Sequence, residues 1–486
     1  MAELTRRDLL VQAASCALVG MAPSAPHPGK ARSPNLLFVF PDQMRGMAMG
    51  FLREDPVITP VLDRLATESL VLPQACSNYP LCSPYRAMML TGQYPHANGV
   101  LENCNSETAP FDGELRTSAR CWSDVLHDRG YSLGYIGKWH LDVPRKPYVD
   151  TYNNTAQEAW NEWTPPVRRH GFGFWYAYGT FDRHMTPEYW TTAAPRNRRV
   201  RVEQWGPEHE ADVAIRFLRN EGGAYRRPGR PFALVVAMNP PHMPYDQVPA
   251  RYVERYAGRT PRDLIVRPNV DPDGDTPTDR LARDSIKNYF AMITGVDEQL
   301  GRILRALDDE GLRDNTIVVF TSDHGNCLGA HAEVSKNVWW EESVRVPFLV
   351  RWPGRITPRR DPLLLSSPDI CPTLLGLLGF SGHVPVGVQG TSHARLFVDG
   401  EGPRPRSQLY LRVPVGRPAL GVRGVRTDRY TLVITRGADG AERVALYDRE
   451  ADPAQLRDFA DDTPALAARL RAEELEPWLR KVAAAW

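Results

Sequence analysis

Four short apolar runs along the chain share one habit: each passes directly into residues too polar for a core. Asn35-Leu36-Leu37-Phe38-Val39-Phe40 is followed by Pro41-Asp42-Gln43, and Tyr131 to Ile136 by Gly137-Lys138-Trp139-His140. Phe232 to Met238 runs into Asn239-Pro240-Pro241-His242, and Thr316 to Phe320 into Thr321-Ser322-Asp323-His324-Gly325. Continuous β-branched and apolar runs of this length predict strands buried on both faces of a parallel sheet. Helical patterns separate them, at Pro60 to Leu70 and Ser285 to Leu307, and together they predict an α/β layered fold. Ligands bind such sheets outside the carboxyl ends of the strands. If the four runs are parallel neighbours, Asp42, Gln43, Lys138, His140, His242, Asp323 and His324 converge on one crevice. Each alone would read as a surface residue or a helix cap; all of them at strand ends do not.

The remaining stretches differ in texture. Residues 144–230 are rich in Pro, Arg, Trp and Tyr, with pieces such as Phe172-Gly173-Phe174-Trp175-Tyr176. They read as long excursions rimming the crevice, their aromatic faces either open to a sugar ring or pinning the loops to the sheet. Residues 246–280 read as a proline-rich loop. Lys336 follows the fourth run, and Pro368 to Leu378 reads as a helix closed by Gly379. Beyond about residue 405 the pattern changes to short alternating strands, at Gln408 to Val413, Gly421 to Arg426, Tyr430 to Thr435 and Arg443 to Tyr447, with a helical end. The expected organisation is an export segment over 1–32, a catalytic domain over 33–404 and a small antiparallel domain with a terminal helix over 405–486.

Composition narrows the function. Hydrophobic content of 42% and charged content of 24% are ordinary for a globular chain. A formal net charge of +1 supplies no global field for nucleic acid or an anionic membrane, so an anionic ligand would need a local cationic pocket. Arg6-Arg7 ahead of the apolar Leu9 to Met21 stretch, with small residues around Ala22 to Ala25, reads as a twin-arginine export signal, hence a periplasmic or secreted enzyme. That stretch is too short to span a bilayer, and no integral membrane segment is expected. Of seven cysteines, Cys16 lies in this signal, which leaves no even disulfide framework once Cys82 is assigned to chemistry.

Residues 82–92 carry that chemistry. Pro84 suits the first turn of a helix and Gly92 its left-handed stop, so Cys82 sits at a helix N-terminus, where negative charge is favoured. Arg86, one turn on, adds a permanent cation. Separately, Asp42, Asp323, Gln43 and His324 form a mainly oxygen donor set, which favours calcium or magnesium over zinc.

Cys82-x-Pro84-x-Arg86, followed by Leu90-Thr91-Gly92-Gln93-Tyr94-Pro95-His96 and Gly99-Val100, resembles the signature of the type I sulfatases. Tyr85 stands where many members have a small residue. The resemblance extends to Leu446-Tyr447-Asp448 and Asp452-Pro453 near the end. It implies the alkaline-phosphatase-like α/β sandwich, with a large, mostly parallel sheet between helices and a small C-terminal antiparallel sheet. It implies conversion of Cys82 to formylglycine by a maturation enzyme. One hydroxyl of the aldehyde hydrate would attack sulfur and the other later expel sulfate. The implied metal ligands are Asp42, Gln43, Asp323 and His324 together with modified Cys82, with calcium the usual ion. Gln43 replaces a commoner aspartate, which keeps magnesium or manganese open. Arg86 would steady the hydrate, Lys138 and Lys336 would hold sulfate oxygens, His242 or Lys336 would protonate the leaving group, and His140 would serve as the base. The expected substrate is an aryl or carbohydrate sulfate monoester. A phosphonate monoester or phosphodiester hydrolase on the same scaffold is the second expectation, and a silent sulfate-binding protein, with Cys82 left as a thiol, the third.

Overall fold

The first apolar run forms β1 (Asn35–Pro41), whose side chains are buried on both faces. The computed structural model describes residues 33–484 and 486; the export segment read at 1–32 lies outside the described residues. In chain order the strands that follow are β2 (Leu70–Val71), β3 (Ser132–Lys138), β4 (Phe174–Tyr178), β5 (Glu188–Thr191), β6 (Val200–Arg201), β7 (Phe232–Met238), β8 (Thr316–Thr321), β9 (Phe348–Arg351) and β10 (Arg359–Arg360). They form one ten-stranded sheet in the order β10-β2-β9-β8-β1-β7-β3-β4-β5-β6. β8, β1, β7, β3 and β4 are mutually parallel neighbours. The four runs read from the sequence thus lie side by side and deliver their polar ends to one edge.

Alternation along these strands divides the interior in two. Leu36, Phe38, Phe40, Ala233, Val235, Ala237, Ile317 and Val319 join one core; Leu37, Val39, Leu234, Val236, Val318 and Phe320 join the other. The helices Cys82–Thr91, Trp122–Asp128 and Ile370–Leu377 cover the first face. The helices Gly206–Arg219 and Pro277–Asp309 cover the second. The apolar runs lack visible alternation because both faces are dry.

Part of the 144–230 stretch departs from its reading as an excursion. Phe174–Tyr178 is β4, paired in parallel with β3, and Trp175 stacks 5.4 Å from Tyr135 in the core at 1% exposure. Phe172 is likewise buried. These rings pin the sheet and offer no face to a sugar. Four antiparallel strands, β11 (Ser407–Arg412), β12 (Gly421–Thr427), β13 (Tyr430–Arg436) and β14 (Glu442–Asp448), make a second sheet. Its Leu409, Leu411, Val425, Leu432 and Leu446 join the first core, as do Leu475 and Leu479 of the C-terminal segment. All six cysteines of the described residues are free and buried. No helix of the described residues is long and apolar enough to cross a membrane.

Candidate active site

Two turns place two carboxylates together. The Asp42 N–H still donates to Met238 O at 2.9 Å, extending the ladder one residue past β1. Gln43 then adopts a φ of 70°, and its N–H donates to Asp323 Oδ1 at 3.0 Å. Asp323 Oδ1 also accepts from the His324 N–H at 2.9 Å. A left-handed backbone at a non-glycine residue costs energy and persists where its surroundings over-determine it; His140, past β3, does the same at φ 54°.

Cys82 opens its helix after extended Leu81, and Gly92 closes it at φ 70°. Arg86, one turn in, is buried. Its Nη2 lies 3.0 Å from Asp42 Oδ2 and 2.9 Å from Asp323 Oδ2, while Nη1 donates to the Lys138 carbonyl. The guanidinium thus clamps the two carboxylates, while its buried Nε has no hydrogen-bond partner. Lys138 Nζ sits 2.8 Å from Asp42 Oδ2, donates to Asn239 Oδ1 at 3.1 Å and lies 3.9 Å from Cys82 Sγ. Burial alone would lower the Lys138 pKa, but Asp42 and the Cys82 thiol outweigh it and raise it.

Cys82 Sγ stands 3.3 Å from His324 Nε2 and 3.7 Å from Asp42 Oδ1. Burial and Asp42 push its pKa up, but Lys138, Lys336 and His324 together outweigh them, holding it well below the usual thiol value. His324 Nδ1 lies 2.9 Å from Gly325 O, an acceptor, so this nitrogen carries the hydrogen. The bare Nε2 faces Asp42, Asp323 and Cys82, the tautomer a metal-binding histidine needs. Ligand atoms of Asp42, Cys82, Asp323 and His324 all lie within 4.8 Å of one another, fully buried. The carboxylates show the divergence expected of like charges sharing a site. Burial and the Asp42 charge push Asp323 up to about 6. Burial also pushes Asp42 up, yet Lys138, His242, His324 and Lys336 hold it well below the usual carboxylate range. A divalent cation among these donors would relieve that conflict, and the two carboxylates fit a hard one.

Gln43 stands at the edge of this group. Its Oε1 accepts from Lys336 Nζ at 2.6 Å and its Nε2 donates to Tyr245 Oη at 3.1 Å. Lys336, from the least strand-anchored segment, is thereby brought to the crevice. His140 Nε2 lies 3.1 Å from the Cys104 carbonyl and must carry the hydrogen, leaving a buried Nδ1 with no hydrogen-bond partner. Burial lowers its pKa, so it stays a neutral base. His242 Nδ1 donates to Met243 O at 2.8 Å and lies 3.5 Å from Asp182 Oδ1. Burial, Lys336 and Lys138 push its pKa down, and Asp42 and Asp182 more than compensate, raising it. A neutral base and a charge-favouring acid thus occupy one crevice.

All the residues read from the sequence reach this crevice. Missed were Asn239, which relays Lys138 to Phe181 O and Asp182, and Asp182 itself. Asn239 stood in plain view at a strand end; Asp182 lies in the aromatic excursion with no local signal. A second group, Cys121, Asp124 and His170, also gathers. Cys121 and Asp124 there form the capping box of the helix Trp122–Asp128, which accounts for their proximity.

Carboxylates clamped by arginine, a lysine beside a helix-terminal cysteine and three imidazoles, where the parallel strands of a mixed sheet end, suit hydrolysis of a tetrahedral anionic ester. The family profile of the sulfatases matches residues 34–380, and one for the N-sulphoglucosamine sulphohydrolase C-terminal region matches 329–479. The chain belongs to the sulfatase family and is a sulfuric ester hydrolase of alkaline-phosphatase-like fold. It is 40% identical over 94% of its length to an endo-4-O-sulfatase of Bacteroides thetaiotaomicron, of which it covers 94%. Among solved structures, a sulfatase yidJ structure from Bacteroides fragilis superposes with a TM-score of 0.89 at 47% identity, covering 95% of this chain and 98% of that one. One from the glycosaminoglycan metabolism of Bacteroides thetaiotaomicron gives 0.87 at 39%, with coverage of 93% and 97%.

Proposed function

We propose that the enzyme removes 4-O-sulfate groups from a sulfated saccharide, with Cys82, oxidised to formylglycine by a maturation enzyme, as the source of the attacking oxygen. The observation that carries this reading is the position of Cys82 Sγ, at the helix N-terminus and within 3.9 Å of Lys138 Nζ, Asp42 and His324 Nε2. A plain buried thiol needs none of those neighbours. The similarity to an endo-4-O-sulfatase over nearly the whole of both chains supports the saccharide class.

Asp42, Asp323 and His324, with the modified residue 82, would hold a divalent cation, for which calcium is our choice and magnesium or manganese the alternatives. When bound, the cation supplies Lewis-acid neutralisation of charge on the sulfuryl oxygens. Lys138 grips a sulfate oxygen as a point cation, held in place by Asp42 and Asn239. Gln43 Oε1 fixes the Lys336 Nζ, and because an amide oxygen has a second lone pair, Gln43 would hold Lys336 and join the metal ligands at once. His242 donates the proton the departing sugar oxygen requires, through the Nε2 left free by the Nδ1 bond to Met243 O. His140 accepts a proton at its bare Nδ1. The arginine pair at Arg6-Arg7 supports export by the twin-arginine route to the periplasm or beyond.

Turnover of a sulfate monoester beside a phosphate diester tests the reaction class. Faster cleavage of the diester would favour the phosphonate monoester or phosphodiester hydrolase reading. Mass analysis of the Cys82 peptide from native-host protein tests the modification, and a retained thiol would point to a silent binder. Cys82→Ala is expected to abolish turnover and leave the circular dichroism unchanged. Chelation should remove activity and added calcium restore it.

A further inference from the structure

The segment Phe181 to His184 is tied to the leaving-group side of the crevice at nearly every residue. Phe181 O accepts from Asn239 Nδ2 at 2.9 Å, and Asp182 Oδ1 stands 3.5 Å from His242 Nδ1. Asp182 O accepts from Gln247 Nε2 at 3.1 Å, and His184 Nε2 lies 2.9 Å from His242 O and 3.2 Å from Met243 O. Asn153 clasps the segment from the other side, with its Nδ2 on Asp182 Oδ2 at 2.6 Å and its Oδ1 on the Asp182 N–H at 2.9 Å. Arg183 alone turns outward. Its guanidinium lies 4.4 Å over the ring of Tyr152 and, among the described residues, has no acidic partner, in contrast to Arg145, Arg168, Arg196 and Arg199 of the same rim.

The surroundings add apolar surface to this charge. Tyr152 is 51% exposed, and Met185 and Met243, which flank the His184 to His242 contacts, are each 40% exposed. An unpaired cation among exposed apolar groups therefore begins one residue, ~4 Å of chain, from the carboxylate that faces the proton donor. A charge left in water beside apolar surface gains most when an amphipathic ligand with an anionic substituent covers both. Sugar rings bearing carboxylates or sulfates have that chemistry. Building on the reading of this crevice as a saccharide sulfatase, we propose that Arg183 and Tyr152 form a subsite for the sugar unit next to the one carrying the scissile sulfate. Arg183 there pairs with an anionic group of that neighbour, either a hexuronate carboxylate or a second sulfate ester, and the exposed edge of Tyr152 covers an apolar sugar face.

The test is calorimetric binding to Cys82→Ala protein, which cannot turn its ligand over. Three 4-O-sulfated hexosamine–hexuronate tetrasaccharides serve as probes: one native, one with the hexuronate carboxyls reduced to alcohols, and one reduced but carrying a second sulfate on the neighbouring unit. Adding Arg183→Ala should weaken binding of the native probe about tenfold or more and erase its advantage over the reduced one. Arg183→Lys should recover part of it. Tight binding of the reduced, twice-sulfated probe assigns the pairing group to sulfate, and loss of its binding assigns it to carboxylate. Equal affinity of the Arg183→Ala and parent proteins for the anionic probes overturns the subsite. In that same protein pair, Arg183-dependent binding alongside a mature enzyme that cleaves no sulfate ester would sink the sulfatase mechanism and leave the subsite standing.

Discussion

Asp42 and Asp323 are two buried carboxylates held together by one guanidinium, and single residues at this site are expected to show effects out of proportion to their size. Arg86 spans both carboxylates and a main-chain carbonyl. Truncating one partner of a buried charge group costs about 3–5 kcal/mol, because the other charges are left uncompensated. Arg86→Met should lower the stability of metal-free protein by that amount in urea unfolding, and Arg86→Lys should restore only part, since a lysine supplies one nitrogen and cannot also make the Nη1 contact to the Lys138 carbonyl. A loss below about 1 kcal/mol would show that the clamp contributes little. His140 differs because the role proposed for it is catalytic. The Cys104 carbonyl fixes its tautomer and leaves Nδ1 bare. Burial lowers its pKa below that of an ordinary histidine, so it protonates only at acid pH, and activity that needs the neutral ring falls as pH drops through that pKa. His140→Ala should reduce kcat about 10²–10⁴-fold and remove that acid limb from the pH profile; an unaltered limb would assign it to another group.

At the scale of elements, the fit of β3 against β7 governs where Lys138 lands. Gly137 pairs with Ala237 and has a φ of 93°, and a Cβ there would meet Ala237 O at 2.2 Å. Gly137→Ala must therefore separate the strands or change the turn that follows. We expect a loss of about 2 kcal/mol or more in urea unfolding, together with reduced turnover because Lys138 is the next residue. Wild-type stability in this variant would mean the strands yield cheaply. The same strands show what was readable from sequence. Apolar runs ending in Asp42-Gln43, Lys138, Asn239 and Asp323-His324 marked parallel strands and their functional edge, since burial on both faces leaves a continuous apolar string. The helix Cys82–Thr91 was legible because proline and glycine punctuate it. β4 was not: Phe172 to Tyr176 is aromatic at every position but Gly173, without a period of two, and such a pattern suits an exposed rim as well as a strand packed on Tyr135 and Phe217. Asp182 was illegible for another reason. It reaches His242 only because Asn153 and Asn239 fold its loop inward, through contacts that span 29 and 57 positions.

Across the whole molecule, one buried acid beside the end of β4 links stability to pH. Glu210, in the helix Gly206–Arg219, is fully buried between Tyr178 and Tyr189, whose hydroxyls donate to its Oε1 at 3.3 and 3.1 Å. Its Oε2 has no partner. A charged carboxylate so placed would lack the hydrogen bonds that burial demands, and burial pushes its pKa up to about 8. The unfolded chain releases this proton near the ordinary glutamate value of about 4.3, whereas the native protein retains it to about 8. The native state therefore binds more protons across that window, and the contribution is full below the unfolded value and lost as pH rises through it to 8. His184 works in the opposite direction. Burial lowers its pKa to about 4, so it penalises the fold as pH falls below the ordinary histidine value of about 6.5. Of these two, the effects cancel between those ordinary values, and the Glu210 loss continues above about 6.5. Glu210→Gln keeps a neutral group of the same shape and cannot ionise. The stability difference between wild type and this variant, from urea unfolding at several pH values, should grow by up to about 1.4 kcal/mol per pH unit from pH 5 to 8, the wild type losing ground. A difference independent of pH would mean that Glu210 is ionised in the folded protein and that its uncovered oxygen finds another partner.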